Sequence, residues 1–226
     1  STRQQRGRMK PISNRTNNIM NDSVLENKSP LKFLLLVFTL SIPFWLLAAM
    51  TGDLTKALPA KLPISALMTF CPLLAAVIIV YSERKIQGVR ELFQLTYDFK
   101  KIKDKKWFVP IVFLMPVIAL LSYWYRNITG TMLPELQTSL FSTFAFFFML
   151  SIGAIGEDVG WSGYIIGPLQ NQYGAFKASI LPGFVWAICH IVPYCQMHQT
   201  IGWIVWKSIG TFPLRTIMFW IFNKTD

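Results

Sequence analysis

Long apolar stretches alternate with short polar connections along this chain from residue 33 to residue 222. A helix needs about 20 residues to cross the hydrocarbon core, and inside a bilayer only a helix or a closed barrel satisfies its own backbone. Six stretches approach that length, and each predicts a spanning helix: Phe33–Met50, Leu62–Tyr81, Trp107–Tyr125, Thr138–Gly156, Ser179–Tyr194 and Ile201–Phe222. The pattern therefore predicts an all-α, polytopic transmembrane helical bundle with about six visible spans.

The fifth stretch and the first residues depart from this regular pattern. Ser179–Tyr194 is short for a span and contains Pro182 and Gly183, so we expect a tilted, broken or partly buried helix there. Residues 1–31 are polar, rich in Asn, Ser and Arg, and show no periodicity. They predict a disordered basic tail, followed by a single transmembrane domain over residues 32–226.

The polar connection at 82–106 has a helical pattern of its own. Val89, Leu92, Phe93 and Tyr97 recur at helical spacing, and five lysines follow between residues 100 and 106. This pattern predicts a short amphipathic helix on the inner membrane surface, held there by anionic lipids. A solvated basic connector is the alternative.

Composition and charge place the chain in a membrane rather than on a nucleic acid. Hydrophobic residues make up 53% of the chain and charged residues 15%, whereas soluble domains carry about 25% charged residues. The net charge of +11 comes from basic residues that flank the spans and form no single binding face. With the N-terminus inside, seventeen lysines and arginines lie on the inner side and three on the outer side, as the positive-inside rule requires. The predicted location is a bacterial cytoplasmic membrane, with membrane lipids as partners and no nucleic acid.

Three further charged or titratable side chains lie in or near the apolar spans. Lys207 and Arg215 lie within the sixth span, and we expect each to extend to a membrane interface. A charge partnership with Glu157 or Asp158 is the alternative. His198 lies near the predicted outer end of the fifth span, on the opposite side of the membrane from Glu157, which disfavours it as a ligand.

An acid pair and a histidine at span ends are the strongest candidates for chemistry. Glu157 and Asp158 end the fourth span, and His190 lies in the fifth. Ionisable side chains are costly inside a bilayer, so they indicate function by default. The two adjacent acids point about 100° apart on a helix, so one can face the bundle interior while the other bonds locally, with Ser162 on the face of Asp158. An interfacial acid pair and a hydrogen-bonded structural histidine are the alternatives.

The order of these motifs resembles the CPBP intramembrane proteases, the CAAX protease and bacteriocin-processing family also called Abi. Its first motif, a pair of glutamates with an arginine four residues after the second, is similar to Glu157-Asp158 followed by Ser162. Its second motif, an aromatic residue four positions before a histidine, is matched by Trp186 and His190. Additional similarity covers residues 71–76, 88–92, 168–170 and 173–179.

The resemblance implies an endopeptidase that hydrolyses a membrane-associated substrate, either a prenylated CAAX-like end or a bacteriocin-type peptide. It implies Glu157 as the general base on water, His190 as the group that holds this water or a Zn²⁺ ion, and Asp158 as a third catalytic residue; any metal would be bound by Glu157 and His190.

Asp158 stands in place of a second glutamate and Ser162 in place of the arginine. The family's last motif, a second histidine on a later span, has no counterpart before Asp226, so the domain is expected to be C-terminally incomplete relative to the family. A non-catalytic immunity or scaffold protein of the same fold is the first alternative, and a small-solute transporter is the second.

Overall fold

A computed structural model describes residues 29–51, 64–97, 102, 104–130 and 139–225 of this chain. The described residues form helices and connecting turns, which confirms the all-α prediction. Residues 1–28 of the predicted tail lie outside the described residues. The helices are α1 (Pro30–Thr51), a 3₁₀ helix (Ile64–Phe70), α2 (Cys71–Tyr97), a short 3₁₀ turn (Lys105–Trp107), α3 (Phe108–Ile128), α4 (Leu140–Asp158), a π segment (Val159–Ile165), α5 (Ile166–Gln196) and α6 (Ile201–Thr225).

Four helical stretches among the described residues are long and apolar enough to cross a membrane. They are Pro30–Thr51, Ile64–Gln94, Lys105–Ile128 and Phe141–Gln196. The last of these stretches contains the fifth predicted span and all of the fourth except its first three residues. The sixth predicted span lies in α6, which is not among the four. The helical bundle is therefore confirmed as polytopic, although the predicted spans do not correspond one to one with these stretches.

The bend in the long stretch lies at Gly174 and not at the predicted proline. Gly174 has φ 77° and ψ 162°, which is a conformation open only to residues without a Cβ atom. Pro182 and Gly183 are buried within helical α5. The prediction of partial burial is therefore confirmed, but the break lies eight residues earlier, where glycine tolerates it.

Lys85 divides α2 into an apolar half and the predicted surface helix. Its φ of 53° and ψ of −151° interrupt the helical geometry. Leu92, in the second half, is buried, and its side chain lies beside Gly163 of the π segment, whereas Phe93 is exposed. One side of this amphipathic segment thus packs on protein, while its contact with lipid stays a prediction. The lysines at 100, 101 and 103 and the Tyr97 side chain lie outside the described residues.

The core lies where α1, α2, the π segment and α5 meet. Phe33 of α1 is fully buried, and its ring packs edge-on against Trp161 at 5.5 Å and beside Tyr164 at 5.2 Å between ring centroids. A Cβ atom at Gly160 would overlap the backbone carbonyl of Pro72 at the start of α2. Glycine at this position lets the π segment touch the α2 backbone directly, as small residues do between membrane helices.

Candidate active site

The acid pair ends α4 at a point where two glycines bring that helix against the 3₁₀ helix. Thr69 Oγ1 donates a hydrogen bond to the Gly153 carbonyl at 3.2 Å. A Cβ atom at Gly156 would lie 2.9 Å from Cδ1 of Phe70, so only glycine allows this approach without a shift. The backbone just before Glu157 is therefore fixed by packing against an element far away in the sequence.

The π segment begins directly after the acid pair. It covers Val159–Ile165, and five of its seven residues are buried. Short π-helical stretches inside α-helices are rare and occur frequently at functional sites. Here the wider turn joins α4, which carries the acids, to α5, which carries the histidine.

A hydrogen bond to its own helix orients the His190 ring and assigns the tautomer of its neutral form. Nδ1 lies 2.8 Å from the backbone carbonyl oxygen of Trp186. Because a carbonyl oxygen can only accept, Nδ1 is assigned the proton, and the neutral ring then has an unprotonated Nε2. Nε2 lies 4.0 Å from Oε1 of Glu157. The histidine thus presents a hydrogen-bond acceptor toward the carboxylate's side of the site.

Trp186 connects the two motifs. Its indole Nε1 donates a hydrogen bond to Oε2 of Glu157 at 3.1 Å, while its carbonyl oxygen accepts from His190. Its ring also packs edge-on against the imidazole, with 4.9 Å between centroids. The side chains of Glu157 and His190 retain 13% and 22% exposure, so both are ordered by protein contacts and still accessible to small molecules.

Asp158 is paired with Arg215, whereas Glu157 contacts Trp186 and His190. Its Oδ1 lies 2.5 Å from Nη1 of Arg215 on α6 and 3.4 Å from the Ser162 hydroxyl group. The prediction that Arg215 extends to a membrane interface is wrong, because its side chain is only 1% exposed and is ion-paired inside the bundle. The alternative, a charge partnership with an acid of the first motif, is what the structure contains.

The other candidates lie apart from this group. Lys207 is exposed, and its ammonium group lies 5.8 Å from the centroid of the Trp203 ring. His198 is exposed in the turn after α5. The structure thus brings Glu157 and His190 together, whereas Asp158 faces Arg215. Sequence reasoning gave Arg215 its correct role only as an alternative; the signal was a lone cation in an apolar span of a chain that also contains intramembrane acids.

The metal prediction can be compared with the donor set. Among the described residues, no group of three or more His, Cys, Asp or Glu side chains could hold a metal ion. Glu157 and His190 supply two donors, whereas zinc sites normally take at least three protein ligands. A separation of 4.0 Å between the two donor atoms is also wide for shared coordination at about 2.0–2.2 Å from one ion. The described residues therefore do not by themselves fit zinc.

Two comparisons with known proteins both find similarity to CAAX prenyl proteases. Residues 139–226 match the family model described as type II CAAX prenyl endopeptidase Rce1-like. The chain is also similar to a protein of Methanococcus maripaludis named CAAX prenyl protease 2, with 28% identity over 167 residues. That alignment covers 68% of this chain and 61% of the relative, so the chain spans less than two thirds of the relative's length.

Proposed function

Both matches support the CPBP/CAAX protease family, and on that premise we propose that this membrane protein is an intramembrane endopeptidase. The observation that carries the proposal is the pairing of Glu157 with His190. Their facing atoms lie 4.0 Å apart, and both side chains are held by Trp186. A partly buried carboxylate beside a neutral imidazole is an arrangement suited to activating water.

The distance of 4.0 Å between the two facing atoms suits a bridging water molecule. Placed at an ordinary hydrogen-bond distance of about 2.8 Å from Oε1 of Glu157 and Nε2 of His190, it would make roughly a right angle with them. That angle is close to the angle between the two O–H bonds of water. The water would donate one hydrogen bond to each acceptor, which leaves its lone pairs free for a substrate carbonyl carbon.

The proposed reaction balances without another reactant. Glu157 takes a proton from the water while the water oxygen bonds to the carbonyl carbon of the scissile peptide. The C–N bond then breaks, and the proton on Glu157 passes to the leaving amine nitrogen. The products are a carboxylic acid and an amine, and Glu157 returns to its starting charge. Zn²⁺ bound by Glu157 and His190 stays a prediction of the resemblance, and no step of this proposal depends on it.

The proposed substrate is a membrane-associated chain with a prenylated, CAAX-like end. The support is the relative's name and the family model, both of which refer to CAAX prenyl substrates. The apolar surroundings of the site suit a lipid-modified chain that approaches within the membrane. A bacteriocin-type peptide is the second substrate class implied by the resemblance, and parallel assays of the two peptides would distinguish them.

The decisive experiment replaces Glu157 with the nearly isosteric glutamine. We expect Glu157→Gln to lower kcat for a farnesylated CAAX peptide by about 10²- to 10⁴-fold, the usual contribution of a general base, and to leave the melting temperature in detergent nearly unchanged. Glu91→Gln is the matched control, because Glu91 is similarly shielded, at 14% exposure, and is paired with Arg84 instead. That control is expected to cleave as the wild type does.

Other outcomes of this assay separate the alternatives. Equal cleavage by wild type and Glu157→Gln would contradict the role of Glu157. No cleavage by folded wild type would favour the non-catalytic immunity or scaffold protein. Loss of wild-type activity with a chelator, restored by Zn²⁺, would establish the metal, and activity that persists would support glutamate and histidine acting alone.

We also propose that the N-terminus lies inside, on the basis of the distribution of basic residues. The structure provides a native probe of this orientation, because Cys195 is exposed while Cys71 and Cys189 are buried, and all three are free. Cys195 directly follows the predicted fifth span, which runs outward. A membrane-impermeant thiol reagent is expected to label intact cells, with Cys195→Ser as control; labelling only after lysis would reverse the orientation.

A further inference from the structure

The second acid of the first motif has a partner from a different helix than the resemblance implies. The resemblance places an arginine at position 162, four residues after Asp158, but this chain has serine there. The Ser162 hydroxyl reaches Asp158 at 3.4 Å, near the limit for a hydrogen bond. Arg215, 57 residues further along the chain, lies 2.5 Å from the same carboxylate oxygen. The acid therefore keeps a guanidinium partner, supplied by α6.

Aromatic rings enclose this guanidinium group. Its central carbon lies 4.9 Å from the ring centroid of Trp186, 5.2 Å from that of Phe219 and 5.8 Å from that of Trp161. Cations are attracted to the faces of such rings, most strongly when they are desolvated. The Arg215 side chain is 1% exposed, so it is almost entirely shielded from bulk water.

The burial of the Arg215 guanidinium group is unfavourable for stability, which bears on why the residue is there. Among the described residues, Nε and Nη2 of Arg215 are buried without a hydrogen-bond partner. Burying a charge with unsatisfied donors costs stability, and replacing such a group with an apolar one often stabilises a protein. Natural sequences retain such violations mainly at functional sites. The position of Arg215 thus favours a role in the site over a role in stability alone.

Arg215 contacts the side chain that orders both proposed catalytic residues. The Trp186 ring beneath the guanidinium group donates its N–H to Glu157, and the Trp186 carbonyl accepts from His190. Asp158, the ion-pair partner, is the direct chain neighbour of Glu157. Arg215 is therefore linked to Glu157 by two routes, one through the backbone of Asp158 and one through the indole of Trp186.

We propose that Arg215 is a positioning residue that performs, from α6, the task of the arginine expected at position 162. It holds Asp158 and Trp186 so that the Glu157 carboxylate stays at its distance from His190. This inference rests on the proposed function. Its consequence is that α6 belongs to the active site although it contributes no group that touches the reacting atoms.

The test moves the guanidinium group from α6 to the π segment. Arg215→Met keeps an unbranched, apolar side chain among the three rings. We expect it to lower kcat on the order of 10²-fold with little change in KM, because a small displacement of the base is enough for such a loss. The double variant Arg215→Met with Ser162→Arg is expected to recover at least about tenfold of the lost kcat. The kcat of Arg215→Lys is expected to lie between those of wild type and Arg215→Met. Lys207→Met, which removes an exposed cation from the same helix, is the matched control and is expected to retain wild-type kcat.

Two outcomes of this test would overturn the inference, and both can be told apart from failure of the proposed function. If Arg215→Met retains kcat while Glu157→Gln abolishes it, Arg215 positions nothing and the endopeptidase proposal still stands. If Arg215→Met loses activity and the relocated arginine restores none, the role is structural.

If wild type itself does not cleave, the proposed function fails, and the positioning role of Arg215 fails with it. The ion pair is then judged by melting temperatures of Asp158→Asn, Arg215→Met and their combination. Additive shifts would show that the two side chains do not interact.

Discussion

Helix α3 and the π segment are both rich in apolar residues, but they differ in what covers their side chains. The described side chains of α3 include none that is buried. The 3₁₀ turn before α3 contacts α6 through the edge-on packing of Trp107 against Trp220, at 5.4 Å between centroids. The π segment buries five of its seven residues against α1, α2 and α5. Lipid tails are as apolar as leucine, so hydrophobicity alone does not drive membrane helices together. The difference shows that helices pack closely in this protein where small residues and polar contacts hold them together, and that this region lies beside the acid pair.

The largest expected effect comes from truncating one leucine on each side of this comparison. Leu169, just after the π segment, is fully buried, whereas Leu120 of α3 is 68% exposed. Leu169→Ala should cost about 2–5 kcal/mol of unfolding free energy, because it leaves a cavity in the core. Leu120→Ala should change stability by less than about 0.5 kcal/mol. Thermal unfolding in detergent measures both.

Similar losses from the two leucine variants would break the comparison. A large loss from Leu120→Ala would indicate that another surface packs on α3. A small loss from Leu169→Ala would mean that the region around the π segment relaxes to fill the cavity.

A smaller effect is expected from removing one hydrogen bond within the tightly packed region. Trp186→Phe keeps an aromatic ring beneath Arg215 but removes the N–H that donates to Glu157. Hydrogen bonds to charged groups contribute about 1.5–3 kcal/mol, so kcat should fall by about tenfold to a hundredfold. Steady-state cleavage of the farnesylated peptide checks this expectation.

The matched control for that prediction is Trp45→Phe. The Trp45 indole donates instead to the sulfur of Met68, at 3.1 Å, away from the acid pair. Its kcat should stay near the wild-type value. An equal fall in both variants would attribute the effect to the general loss of an indole rather than to the contact with Glu157.

The helical class and the meeting of Glu157 with His190 could both be predicted from the sequence. Spanning helices leave long apolar stretches that can be read directly, and consecutive spans tend to be neighbours. An acid at the end of one span and a histidine in the next are therefore expected to approach each other. The two matches are to CAAX protease sequences, which supports the resemblance, while the catalytic roles of the two residues stay predictions.

The partner of Asp158 and the bend of α5 could not be read from the sequence in the same way. A lone arginine in a span has two physically reasonable fates, since its long side chain can extend to the interface or pair inside, and only the packing of α6 on α5 decides between them. A break is expected at Pro182 because proline interrupts helical hydrogen bonding. Membrane helices tolerate proline, however, where neighbouring helices satisfy the freed backbone groups. Gly174 lies between the fourth and fifth predicted spans, in a connection for which the hydropathy pattern predicts no particular structure.

The π segment has a consequence for any helical wheel drawn across this site. A π-helical turn contains more residues than an α-helical turn, so the winding falls out of phase between Glu157 and Ile166. An α-helix with one residue fewer over the same stretch would leave the acid pair rotated by about 100° relative to α5. The segment thus acts as a phase shift, which sets the direction in which α4 presents its carboxylates independently of the face that α5 buries.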